Sequence, residues 1–199
     1  RHARYYLGLL ARCEDEGQGG ETLPAVSTLR SESLNIEAAW LWAIDHDWWE
    51  WPPLRASLFS TVLYADGRSR RWRELVQIAL GSAPPATVPW AILTVHEADI
   101  LLEEDHYDAA YKRFKAVIDV LRERGTPIEL AWGQLRYSRA AYAADRVDKA
   151  LRLTTSAVTS FKRAQRHDML GEAFDQLVWQ ALTPADHERW FLEFSNWYA

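Results

Sequence analysis

Apolar residues recur at helical spacing along nearly the whole chain, and almost nowhere do they alternate as in a half-buried strand. Tyr107, Ala110, Tyr111, Phe114, Val117, Ile118 and Leu121 step 3, 1, 3, 3, 1, 3. Leu170, Ala173, Phe174, Leu177, Val178, Ala181 and Leu182 draw a second stripe of the same kind. Each stripe predicts an amphipathic helix with one face on a core. Breaks fall at 17–24, Pro52-Pro53, 65–69, 81–89, 103–106, 124–127, 143–146 and 183–186, each carrying glycine, proline or short acidic residues. About ten helices result, and their short links favour antiparallel neighbours. The predicted class is all-α, built hairpin after hairpin.

Stacked hairpins invite a search for a repeat. With the turns at Gly67, Asp105 and Asp145 aligned, the small residues Ser60, Ala98 and Ser138 stand before them, and Trp72, Ala110 and Ala150 follow. Further on come Ala79, Val117 and Ala157. Small residues let helices approach closely. The turn-to-turn steps are 38 and 40, somewhat longer than the roughly 34 of a tetratricopeptide repeat. The pattern resembles divergent tetratricopeptide repeats, best over 98–121 and 138–158, while Trp72 and Thr154 depart from it. That resemblance implies a right-handed superhelix of about five antiparallel hairpins, an α-solenoid.

A second resemblance covers roughly residues 1–80. The segment ESLNIEAAWLWAIDHD (32–47), with RHARYYLGLLARCE (1–14) before it and 54–80 after it, resembles the region following the winged helix in bacterial STAND-type regulators, which are signal-transducing P-loop ATPases. Glu32, Asn35, Ala39, Trp42 and Ala43 match the pattern of one helix there, and Gly67-Arg68 matches the turn of the next hairpin. The resemblance implies that 1–50 is a helical hairpin leading to an upstream domain and that 51–199 carries the repeats. It also implies that ATPase and effector domains of the same protein lie outside this chain. The opening at Arg1, without an initiator Met, is read as the start of a piece of something longer.

Composition narrows the picture. A chain of 199 residues, 48% hydrophobic and 26% charged, is globular rather than disordered. No apolar run reaches the ~18 residues of a membrane span, and Cys13 has no second thiol to pair with, so a cytoplasmic home is expected. The net charge of −5 gives no general attraction for nucleic acid. No Gly-Lys-Ser/Thr phosphate loop is present; the histidines lack metal-ligand spacing, and no serine or cysteine sits in a nucleophile motif. No cofactor, metal or catalytic residue is therefore expected.

The remaining clusters each admit a bland reading. Arg68, Arg70, Arg71 and Arg73 crowd the start of a helix, where cations meet the unfavourable end of its dipole. Asp66, Glu74 and Glu50 are at hand to compensate, and a contact to a protein partner or to nucleic acid remains open. Glu32 and Asn35 share a helix side, fit for bonds to neighbouring helices or to another domain. Trp40, Ile44, Trp48 and Trp51 fall on one stripe that Pro52 interrupts. A packing knot, a ligand cage and a partner interface all remain open there, with Trp49 off the stripe and partly exposed.

Binding candidates come from the tetratricopeptide resemblance, in which the first helix of each hairpin lines a concave groove. Carried across, these positions are Ser57, Thr61 and Tyr64; Asp99 and Glu103; and Trp132, Arg139 and Tyr142. The last three share a helix face able to hold a peptide carboxylate or a small polar metabolite, or simply to cap the wall. In the last helix Trp190, Phe191, Phe194, Trp197 and Tyr198 form a broad aromatic stripe. Part of it is expected to pack on Phe174, Leu177 and Val178, leaving Trp190, Phe194 and Trp197 as candidates for self-association. The expected function is a non-catalytic helical-repeat module that binds a small-molecule inducer or a protein partner, the sensor arm of a regulator. A purely structural spacer or oligomerisation segment is the alternative, and an enzyme a distant third.

Overall fold

The computed structural model describes residues 1–18, 22–49, 56–181 and 183–198. Among these it has eleven helices and no strand: α1 (His2–Gln18), α2 (Thr22–Ser31), α3 (Ser33–Asp45), α4 (Ser57–Ala65), α5 (Ser69–Ser82), α6 (Val88–Glu103), α7 (Tyr107–Arg124), α8 (Pro127–Ala143), α9 (Val147–Arg163), α10 (His167–Gln180) and α11 (Pro184–Tyr198). They fall into two compact units, Arg1–Glu97 and Ala98–Ala199. Among the described residues no helix is long and apolar enough to cross a membrane.

In the first unit α1 packs on α2, α3 and α4, and α5 packs on α3 and α4. The junction of α2 and α3 is a single residue. Glu32 turns to φ −102° and ψ 8°, yet its N–H still bonds the Thr28 carbonyl and its own carbonyl still accepts from Ile36. No glycine or proline marks this bend, so pattern reading passes over it. The centre of the unit is aromatic: Trp40 meets Trp72 edge-on at 5.5 Å, with His96 and Phe59 against Trp72 at 5.3 and 6.4 Å. Rings of this size each bury ~150 to 250 Å2, and Trp72 fills the centre of this unit where the aligned positions 110 and 150 carry alanine. Ala56 has no side chain to cap α4. The buried Glu14 of α1 supplies the oxygen instead, accepting the Phe59 N–H at 3.0 Å.

The tryptophan stripe does not continue as one helix. α3 ends at Asp45, Asp47 takes φ 51°, and the Trp48 N–H folds back to the Ala43 carbonyl. Trp48 is then half-buried, edge-on to Trp42 at 6.2 Å, with the Arg4 guanidinium 5.5 Å above its ring. Trp49 is also half-buried. Trp51 lies outside the described residues.

In the second unit α8 packs on α7 and α9, and α10 on α8, α9 and α11. From Ala110 onward the predicted stripe of α7 is buried, as are Leu170, Ala173, Phe174 and Leu177 of α10. The small residues Ala98, Ser138, Ala110, Ala150, Val117 and Ala157 are all completely buried. Thr154 is large for its place because it has a task. Its hydroxyl donates to Gln180 Oε1 at 2.9 Å, and Gln180 Nε2 donates to Ser138 Oγ at 3.4 Å, joining α9, α10 and α8 in a buried polar network. α8 opens on a capping box between Thr126 and Glu129, with Pro127 in its first turn.

The three aligned turns share one geometry. Gly67, Asp105 and Asp145 have φ of 70°, 61° and 56°. In each, the turn residue's N–H bonds the carbonyl three positions back, and the next N–H bonds the carbonyl five positions back, as in Arg146 to Ala141 at 2.8 Å. This Schellman ending satisfies carbonyls that the helix leaves bare. Asp47 and Gln165 repeat it.

Candidate functional site

One face each of α6, α8 and α10 meets in the second unit around a cleft of about 610 Å3. α6 contributes Leu102 and Glu103, α8 contributes Arg139, Tyr142 and Ala143, and Tyr107 enters from the start of α7. α10 supplies Glu172, Asp175, Gln176 and Trp179, whose steps of 3, 1 and 3 put them on the helix face opposite its buried stripe. Three aromatic rings stand open here: Tyr107 is 40% exposed, Tyr142 42% and Trp179 71%. A neighbouring depression shares Tyr107 and Ala143 and adds Asp105, His106 and Asp108.

The walls are joined by an ion-pair ladder. Arg139 Nη2 donates to Glu103 at 3.1 Å, and the two Arg136 amino groups reach Glu172 at 3.1 and 3.2 Å. Both pairings span 36 residues. Asp99 lies between the two arginines but at 3.7 and 4.0 Å, beyond hydrogen-bond reach. Burial lifts its carboxyl to about 6 against the pull of Arg136 and then Arg139. A second polar cluster lies at the start of α9. Lys149 Nζ donates to the phenol oxygens of Tyr111 and Tyr137 at 3.0 and 2.6 Å, and Arg146 reaches Tyr111 at 3.3 Å. The Lys149 hydrogen bond draws the Tyr111 phenol down to about 8, while burial pushes Tyr137 up.

Of the groove positions taken from the sequence, the structure brings Glu103, Arg139 and Tyr142 to the cleft, with Asp99 behind them. Trp132 is buried, its ring 5.7 Å from the Arg136 guanidinium rather than turned outward. Ser57, Thr61 and Tyr64 belong to the first unit, where the Ser60 and Thr61 hydroxyls both donate to the Ser57 carbonyl and Tyr64 is half-buried. Tyr107 and the whole α10 wall were not among the sequence candidates.

The arginine run is compensated mainly by a residue that the sequence did not single out. Buried Glu37 accepts from Arg68 and, at 2.7 Å, from Arg71 Nε, and Glu74 takes the other side of Arg71 at 3.1 Å. Asp66 pairs with Arg30 instead, at 2.9 Å, and Glu50 lies outside the described residues. Asn35 donates to Glu32 at 2.7 Å, so the two bond each other. Cys13 is buried, and that burial pushes its thiol up. On α11, Phe194 stacks edge-on to Phe174 at 5.8 Å and Lys162 pairs with Glu193. Trp190 is half-buried under Arg189, whereas Phe191 and Leu192 are exposed. The Trp197 side chain lies outside the described residues. Among the described residues no three His, Cys, Asp or Glu side chains gather as a metal site would.

No family model, curated protein or solved structure matches the chain. The resemblances to tetratricopeptide repeats and to STAND-type regulators therefore rest on the residues quoted for them.

Proposed function

We propose that the chain is a non-catalytic binding module, a right-handed superhelix of tetratricopeptide-like hairpins, and that the cleft of α6, α8 and α10 is its binding place. The observation that carries this reading is the cleft itself. Three exposed aromatic rings border Glu103, Arg139 and Glu172, which are already held by ion pairs, so these charged side chains lose little freedom when a ligand docks. The shared turn geometry at Gly67, Asp105 and Asp145 and the 36-residue pairing across the ladder support the repeat reading. In the cytoplasm of a bacterium such a module serves as the sensor arm of a STAND-type regulator. A protein partner or small inducer that binds one conformation of the arm better biases the ATPase and effector domains by population shift.

The test is a protein-observed screen. The chain is labelled with nitrogen-15, the Trp179 indole signal is assigned through Trp179→Phe, and pooled peptides of mixed charge and a metabolite set are titrated in. The reading expects some member to move the Trp179 signal saturably and to raise the melting temperature by mass action. Pools that leave that signal unmoved at millimolar concentration overturn it.

A second reading has its own observation. Phe191 and Leu192 of α11 are more than half exposed side by side, and large exposed apolar groups favour association. Self-association through this face predicts a sedimentation coefficient that rises with concentration and ceases to rise in Leu192→Glu. A monomer at every concentration removes this reading.

A further inference from the structure

Resting on the reading of the cleft as a binding place, we infer that its ligand is cationic: a polypeptide segment bearing arginine or lysine, not a carboxylate. Three carboxylates, Glu103, Glu172 and Asp175, line the cleft against one guanidinium, Arg139, a formal excess of two negative charges. Adding the two charged groups behind the wall, Asp99 and Arg136, leaves that excess unchanged. Arg139 is the group an incoming anion would seek, and Glu103 already occupies it at 3.1 Å. An anion would have to displace that partner while facing Asp175 and the Glu172 carboxylate that Arg136 holds.

The aromatic rings point the same way. The faces of tyrosine and tryptophan carry negative quadrupole and attract guanidinium and ammonium groups, and Tyr142 and Trp179 stand exposed among the carboxylates. Sites for small molecules enclose most of the ligand surface. Trp179, at 71% exposure, forms an open wall instead, which suits side chains projecting from an extended chain. The acidic lining also continues past Tyr107 into the neighbouring depression with Asp105 and Asp108.

The probes are a short peptide alternating arginine and alanine, its glutamate counterpart, and spermine, each titrated into the whole chain with the Trp179 indole and calorimetry as readouts. The arginine peptide is expected to saturate the Trp179 shift, to weaken as salt rises and to outcompete spermine, while the glutamate peptide moves nothing. Asp175→Asn should weaken the arginine peptide about two- to fivefold and Arg139→Gln should strengthen it by a similar factor, the scale of one exposed charge pair. Helical ellipticity would confirm that both variants are folded. If the glutamate peptide moves Trp179, or Arg139→Gln abolishes binding, the charge assignment falls and the binding reading stands. Spermine binding as tightly as the peptide removes the peptide assignment. Shifts scattered over the surface without saturation overturn the inference, and silence of all three probes and of the mixed pools overturns the binding reading itself.

Discussion

Replacing Asp99 with asparagine should make the protein more stable at neutral pH, although it removes a charge that faces two arginines. The reason lies in the distances. Arg136 and Arg139 give their close hydrogen bonds to Glu172 and Glu103, and Asp99 is left with 3.7 and 4.0 Å approaches from a largely buried position. Three carboxylates then share two guanidiniums, and ionised Asp99 is the surplus one. Its carboxyl is raised to about 6 by burial, against about 3.9 in the unfolded chain.

The sign follows from linkage. A group whose folded pKa exceeds its unfolded one contributes stability that is fully present below about pH 4 and lost as the pH rises through about 6. Two pKa units correspond to about 3 kcal/mol; the residual solvent contact of the carboxyl brings the expected gain for Asp99→Asn to about 1 to 3 kcal/mol at neutral pH. Urea unfolding followed by helical ellipticity, repeated across pH, measures it. The asparagine variant should lead at pH ~7.5 and the two proteins should converge near pH ~4, where both carry a neutral group. A variant less stable than the parent at neutral pH would refute the reasoning, because Asp99 would then be a counter-ion that Arg136 and Arg139 require.

Glu37→Gln, read by the same urea assay, should cost about 1 to 3 kcal/mol, less than a fully buried pair because the two arginines can turn to solvent; an unchanged midpoint would mean that Glu37 is not their anchor. Thr154→Val should cost about 1 to 3 kcal/mol by leaving Gln180 buried without its donor, and the further change Gln180→Leu should recover part of the loss. Gly67→Ala should lose about 1 kcal/mol from left-handed backbone alone, since a Cβ there meets nothing within 4 Å. Asp145→Gly, at φ 56°, should be neutral or slightly stabilising in the same melting experiment; destabilisation there would mean that the Asp145 side chain supports its turn.

Much of the helical layout is legible because each helix writes its buried face in its own sequence. The stripes of α7 and α10 and the turns at Gly67, Asp105 and Asp145 are local signals, and the structure bears out the helices and the turns. Where a residue's role depends on a distant segment, the signal disappears. Nothing near Glu37 says that Arg68 and Arg71 will bury it, and nothing near Glu14 says that it will cap α4, because those partners are 31, 34 and 45 residues away. The bend at Glu32 is hidden for a different reason: its hydrogen bonds continue almost as in a helix, so no breaker residue is needed.

The charge of the cleft shows most clearly why a single helix misleads. Read alone, α8 presents Trp132, Arg139 and Tyr142 on one face, and an arginine between aromatic residues resembles a grip for a carboxylate. In the structure Trp132 has turned inward, Glu103 from α6 has taken the guanidinium, and α10 has added Glu172 and Asp175. The sign of the site is thus set by the two walls that the α8 sequence does not contain. The signal for the far wall was nonetheless in the chain. Glu172, Asp175, Gln176 and Trp179 are the face complementary to the buried stripe of α10, and Glu172 stands the same 36 residues beyond Arg136 as Arg139 stands beyond Glu103. Seeking opposite charges at that interval on α10 as well as α8 turns an apparent anion grip into an acidic cleft.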